Sequence, residues 1–292
     1  MISRRGILGL LALTLAGCKK TPPPAPTSTR PRIIVLSPAV AITMRDLGLA
    51  GNIVGRHGYD LVLDSSLPVC GDQSGLDYEA ISKLAPTHVL TQYDSGDVPP
   101  RLVSLAATNT FELVNYRLLT LEAVRANAQE LAKRFAVDGS KIDAEFTRAW
   151  SKRGEGFGKV GKILLLAATN PPGALGPGSF HHQILERMGG TSAIASGAPY
   201  VTMDAEDILK LKPDAIVLVL PRSHGVQAPG RQSFANLVAL LGPIGKLDLP
   251  AIRSQRIALI DDPLAHTPST AMIQLADEFR AILEGWSAAS GK

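Results

Sequence analysis

Asp77-Tyr78-Glu79-Ala80-Ile81-Ser82-Lys83-Leu84-Ala85-Pro86 and Asp204-Ala205-Glu206-Asp207-Ile208-Leu209-Lys210-Leu211-Lys212-Pro213 share six of ten residues at an offset of 127. In each copy an aspartate can cap a short helix, apolar residues follow at helical spacing, and a proline stops the helix. An apolar strand is expected after each proline, at residues 88–91 and 215–220, and another before each copy, at 33–36 and 163–166. A duplicated unit determines how the rest of the chain is read. Strands alternating with helices across short loops imply mainly parallel sheets covered on both faces. The expected fold class is therefore α/β, as two similar lobes.

Between the copies, Leu121, Val124, Leu131 and Phe135 form an apolar stripe at helical spacing, and residues 140–153 form a second, charged helical stretch. A crossing made by helix is stiff, so the lobes are expected to be joined by a rigid interdomain helix that limits how far the cleft between them opens and closes. The expected divisions are a signal peptide at 1–17, a proline-rich tether at 18–31, an N-terminal lobe at 32–135, the interdomain helix at 136–158 and a C-terminal lobe at 159–292. The last lobe should close on a helix with Thr267 as N-cap, Pro268 in its first turn, and Met272, Ala276, Phe279 and Leu283 on one face.

The N-terminus sets the compartment. Met1 to Arg5 is basic, residues 6–16 are apolar, and Leu15-Ala16-Gly17-Cys18 ends small residues on a cysteine. The apolar run is shorter than the roughly 20 residues that span a bilayer, so it reads as an export signal. Its end resembles a lipobox, with Cys18 as the lipidated first mature residue. Ser3-Arg4-Arg5-Gly6-Ile7-Leu8 resembles a twin-arginine signal, and the general secretory route is equally open. Pro22, Pro23, Pro24, Pro26 and Pro31 favour extended backbone, as in a tether.

Of 30 Lys and Arg against 26 Asp and Glu, Arg4 and Arg5 lie in the signal, which leaves a balance of +2 and no nucleic-acid signature. Once Cys18 is lipidated, Cys70 has no disulfide partner. His57, His88, His181, His182, His224 and His266 are scattered, so no metal site and no cofactor is expected.

The chain resembles the periplasmic substrate-binding lipoproteins of ABC importers for cobalamin, iron siderophores and haem, over nearly all of residues 31–285. The resemblance rests on Arg32-Ile33-Ile34-Val35-Leu36-Ser37-Pro38-Ala39, on Leu47-Gly48-Leu49 through Ile53-Val54-Gly55, and on the paired Leu84-Ala85-Pro86 and Leu211-Lys212-Pro213 elements. Thr169-Asn170-Pro171-Pro172, Gln183-Ile184-Leu185-Glu186 and Gly189-Gly190 are most similar to the cobalamin-binding members. The resemblance implies a monomer that carries a small molecule in its cleft, cobalamin or an iron chelate, to a permease dimer. It also implies docking through one glutamate per lobe, and Glu79 and Glu206 occupy matching places. A glutamate in a helix's first turn is favoured by the helix dipole whatever its function.

Parallel sheets bind ligands beyond their strand carboxyl ends. There lie Pro38, Ala39, His57, Tyr59, Asp60, Gln73, Gln92 and Tyr93 in the first lobe, and Pro177, Phe180, Asp262 and His266 in the second. Tyr59 and Tyr93 either lay a ring on a flat macrocycle or cover a lobe edge. His57 and His266 either reach a ligand's metal or amides or are held internally. Only Arg56, Arg101 and Arg222 are near candidate loops, and Trp150 and Trp286 lie outside them. An exported hydrolase is the rival reading, but Gly-x-Ser-x-Gly, His-Glu-x-x-His and Walker loops are absent from the sequence. No enzymatic role is expected.

Overall fold

A computed structural model of the chain describes residues 30–289 apart from Gln73, Ser95, 153–155, 228–229 and 231. The expected signal peptide, tether and lipidated Cys18 lie outside the described residues, as does Gln73. Contacts separate Met1–Arg30 from Pro31–Lys292, and the second unit is the body described below.

Its first half runs β1 (Ile33–Val35), α1 (Pro38–Asp46), β2 (Ile53–His57), β3 (Val69–Asp72), β4 (Gly75–Leu76), α2 (Tyr78–Lys83), β5 (His88–Gln92), α3 (Pro100–Asn109), β6 (Glu112–Tyr116) and α4 (Leu121–Arg134). The strands form one sheet in the order β4-β3-β2-β1-β5-β6, parallel except for β3 with β4. After α5 (Ser140–Trp150) the second half runs β7 (Lys162–Thr169), β8 (Pro172–Leu175), α6 (Phe180–Arg187), β9 (Thr191–Ser192), β10 (Tyr200–Thr202), α7 (Ala205–Leu211), β11 (Ala215–Val219), α8 (Phe234–Leu240), α9 (Pro250–Arg253), β12 (Ile257–Ile260) and α10 (Ala271–Ala289). Its sheet has the order β10-β8-β7-β11-β12, with β9 also on β7.

The two copies of the repeat fold alike. The Asp77 side chain accepts a hydrogen bond from the Ala80 amide to start α2, and Asp204 accepts from Asp207 to start α7. β5 and β11 follow them.

Alternation along the strands sorts the core. Ile33 and Val35 of β1, Ile163 and Leu165 of β7, and Val217 and Val219 of β11 all enter one apolar cluster. Their neighbours Ile34 and Leu36, and Leu164, Leu166, Ile216 and Leu218, point to two separate clusters on the outer faces. The shared cluster is filled by α1, α4, α5, α6 and α10, so one helical layer serves the inner faces of both sheets. α5 supplies Phe146, fully buried, and Trp150, whose rings lie 4.6 Å apart. Arg280 of α10 donates to the carbonyls of Ala149 and Ser151 at 2.9 Å, which satisfies the end of α5. Arg187 pairs with Glu122, and Thr270 donates to Asp46; these two contacts join the halves.

Two sequence expectations differ in detail. Within the span 136–158 the α-helix is Ser140–Trp150. The last helix starts at Ala271 rather than at Pro268, because residues 263–270 make successive turns and Ser269 Oγ accepts the Ala271 amide. Between β7 and α6, β8 pairs antiparallel with both β7 and β10. Met272, Ala276, Phe279 and Leu283 are buried as the spacing implied.

A Cβ on Gly55 would lie 2.6 Å from Cys70 Sγ, so β2 can sit beside the buried thiol only without a side chain there. Burial pushes the Cys70 thiol up to about 11.

Phe146→Ala should cost about 3–5 kcal/mol, the range for removing a buried aromatic. Because one layer serves both sheets, urea unfolding of the variant should remain a single transition by circular dichroism and tryptophan fluorescence. Two separated transitions would contradict the shared core.

Candidate functional site

The strand carboxyl ends carry three groups of side chains. The first surrounds β2 and β3. His57 ends β2, and the Tyr59 amide donates to its Nδ1 at 3.1 Å, with the two rings 5.9 Å apart. Asp60 Oδ1 accepts the amides of Val62 and Leu63 at 3.0 and 2.7 Å and so shapes the loop, while its buried Oδ2 has no hydrogen-bond partner. Arg56 donates to the carbonyls of Leu67, His57 and Ser65 and closes the loop from below. Tyr59 is left 57% exposed, with Leu61 and Val69 also at the surface. Burial holds the His57 pKa below its ordinary value despite the opposing pull of Asp72 and Asp60. A neutral His57 whose Nδ1 accepts must carry its proton on Nε2, so it offers a donor and not a lone pair.

The second group spans β1, β5 and β6, which are neighbours in the sheet. Ser37 Oγ caps α1 by accepting the Val40 amide and donates to Gln92 Oε1 at 2.7 Å. Gln92 Nε2 donates to Asp94 Oδ2, and Asp94 Oδ1 accepts the Leu118 amide, each at 2.7 Å. Tyr93 is half-buried, and its amide and carbonyl are both bonded to the Asn115 side chain. Ala39 is buried in the shared core, so of the pair Pro38-Ala39 only Pro38 reaches solvent. Arg117 and Leu119 stand exposed on either side of buried Leu118.

The third group belongs to the second half. Pro177 lies in the turn before α6, and Phe180 packs against the shared core. Asp262 is used internally, accepting from the Leu264 amide and from Gln274. His266 meets His181: their Nδ1 and Nε2 are 3.2 Å apart, His181 Nε2 is 2.8 Å from the Ala265 carbonyl, and His266 Nε2 is 3.1 Å from the Val219 carbonyl. Burial lowers both pKa values, His181 to about 4. Two neutral rings therefore tie α6 to the loop after β12. Among the described residues no hydrogen bond or ion pair joins this group to the other two.

The remaining candidates are placed as follows. Arg222 pairs with Asp261, and the Arg101 guanidinium lies 4.2 Å from the Tyr78 ring centroid. Glu79 and Glu206 are exposed in the first turns of α2 and α7, Glu206 paired with Lys210. His88 starts β5 and packs edge-on against Phe135, away from the strand carboxyl ends. A cavity of about 650 Å³, lined by Phe234, Leu237, Ile257 and Trp286, lies at the outer edge of the second sheet and shares none of the expected ligand residues. No group of three or more His, Cys, Asp or Glu among the described residues could hold a metal. Arg117 and the Ser37–Gln92–Asp94–Leu118 chain escaped the sequence reading, because no local pattern marks contacts 24 and 55 residues apart.

Residues 33–238 match the sequence profile described as periplasmic binding protein. The chain belongs to the periplasmic binding protein family. A search of curated proteins finds no match. Solved structures of the same fold include the periplasmic haem-binding protein BhuT in complex with two haems, 21% identical over 88% of this chain and 99% of that one, with a TM-score of 0.64. The periplasmic haem-binding protein HutB of Vibrio cholerae is 17% identical over 86% and 98%, with a TM-score of 0.66. The periplasmic vitamin B12-binding protein BtuF of Vibrio cholerae is 17% identical over 88% and 97%, with a TM-score of 0.61. At these identities the likeness establishes the fold this periplasmic binding protein shares with them.

The buried histidine has a consequence for stability. His181 is neutral in the native state, near 4, and ionises near 6.5 when unfolded, so its contribution is complete above about pH 6.5 and is lost as pH falls towards 4. Urea titrations at pH 7.5 and 4.5 should differ by about 2.5 kcal/mol more in the unaltered periplasmic binding protein than in His181→Gln. An equal pH dependence in both would refute the assignment.

Proposed function

We propose that this chain is the exported, lipid-anchored binding protein of an ABC importer, a monomer that captures cobalamin or a related corrinoid between its two halves. The reading divides the body into lobes at 32–135 and 159–292. Family membership supports a binding role outside the cytoplasm over an enzymatic one. The observation that carries the choice of ligand is the fate of the candidate arginines. Arg56 and Arg222 are committed to internal partners and Arg101 is stacked on Tyr78, which leaves a rim of tyrosine, leucine and N–H donors rather than a cluster of cations. Such a rim suits a large, amide-fringed, uncharged macrocycle better than a strongly anionic chelate.

In this account Tyr59 and Tyr93 lie against the ring, with Pro38, His57, Asp60, Gln73 and Gln92 beside them. Pro177, Phe180, Asp262 and His266 line the opposite wall, and Ala39 supports the first from beneath. Haem is the second reading, favoured by exposed Arg117, which could pair with a carboxylate, and by the haem-binding proteins of the same fold. Cys18 carries the lipid.

Thermal unfolding of the body alone and with cyanocobalamin, dicyanocobinamide, haemin and a ferric hydroxamate separates these readings, since a ligand of the native state raises Tm. A rise with the corrinoids alone is expected, and Tyr59→Ala should weaken their binding about tenfold, as loss of one stacked ring does. A rise with haemin alone would replace the corrinoid reading with the haem one.

Glu79 and Glu206 are proposed to dock on the permease, one from each half, as charges that set orientation and on-rate. Glu79→Arg with Glu206→Arg should abolish uptake by cells while leaving ligand affinity within twofold. Unimpaired uptake would remove the glutamates from the docking surface.

A further inference from the structure

We propose that Asp94 is the positioning residue of the first half's ligand-facing rim, acting through Gln92 and the Leu118 amide; this rests on the reading that the rim faces ligand. Asp94 follows β5, the strand between β1 and β6, so it stands where one side chain can reach both neighbours. One oxygen reaches the β6 side directly, and the other reaches the β1 side through Gln92 of its own strand. Oδ1 accepts the Leu118 amide from the loop after β6, and Oδ2 accepts Gln92 Nε2, whose own Oε1 accepts the Ser37 hydroxyl after β1. Ser37 Oγ in turn accepts the Val40 amide, which sets the first turn of α1 and with it Pro38.

The direction of every bond in this chain is determined. The Val40 amide and the Leu118 amide can only donate, so hydrogen bonds run inward from both ends and must finish on a group that only accepts. An ionised carboxylate at position 94 is that group. The amide of Gln92 is thereby held with its oxygen towards Ser37 and its nitrogen towards Asp94. The structural consequence falls on residues beside the ones it bonds: Arg117 and Leu119 are exposed on either side of a clamped Leu118, and Pro38 follows a clamped Ser37.

The chain's polarity supplies its own test. Asp94→Asn turns an N–H towards one of two donors, and Gln92→Glu sets one carboxylate against another. Combined, Gln92→Glu with Asp94→Asn restores every bond: the carboxylate now at position 92 would accept from Ser37 and from the side-chain amide now at position 94, and the oxygen of that amide would accept from Leu118. Amide hydrogen exchange at Leu118 and Val40, and equilibrium binding of cyanocobalamin, dicyanocobinamide and haemin, are measured on the unaltered body and on the three variants. Each single variant should speed exchange at Leu118 about tenfold and weaken the bound probe about tenfold, with the far-ultraviolet spectrum unchanged, and the double variant should recover both to within about threefold. Unchanged exchange and affinity in Asp94→Asn, or a double variant as weak as the sum of the singles, would overturn the proposal. Exchange that is rescued while affinity never changes would also overturn it, since the chain would then be structural only. A body that binds none of the three probes would refute the ligand reading, and the positioning role with it, whereas the exchange data separately report whether the bonds exist.

Discussion

One apolar layer of helices between two sheets is the constraint on which the rest depends. Each sheet offers an inner face of branched side chains, and neither can bury it alone. α1, α4, α5, α6 and α10 fill the space between them in a single cluster. A relative rotation of the halves must shear this packing and break the Arg187–Glu122 and Thr270–Asp46 contacts, so large swings about the crossing are disfavoured. A binding protein built this way presents its ligand groups in nearly their final arrangement, which reduces the ordering cost of capture.

The same demand for satisfied groups shapes the rim. Polar side chains at the strand ends mostly serve the backbone: Asp60 and Asp262 accept loop amides, Asn115 clamps Tyr93, and His181 and His266 bridge to carbonyls. On the proposed reading, what remains for a ligand is the exposed side chains of Tyr59, Leu61 and Leu119, with the His57 Nε2 donor and Arg117. Selectivity would then come from shape and from a few directed hydrogen bonds rather than from net charge.

Much of this architecture was legible in the residues. The duplicated Asp-to-Pro unit announced two capped helices, the strands after them and the two-half plan, because capping and strand patterning are local. The face of α10 through Met272, Ala276, Phe279 and Leu283 was legible for the same reason, whereas its start was not, since the turns of residues 263–270 depend on Asp46 in the other half. Candidate site residues were chosen by the rule for parallel sheets, but the partners their side chains take were not legible. Ala39 turned inward with the pitch of α1, and His266 met His181, a residue 85 positions away. Such pairings are set by the sheet order and by no pattern within either segment.

Hydrogen exchange of the body with and without saturating cyanocobalamin tests the central claim most directly. Protection is predicted at residues 57–60, 92–94 and 117–119 and, together with them, at 177–180 and 262–266, with none around Phe234 and Trp286. Protection confined to one half, or to the cavity at the edge of the second sheet, would contradict capture between the halves.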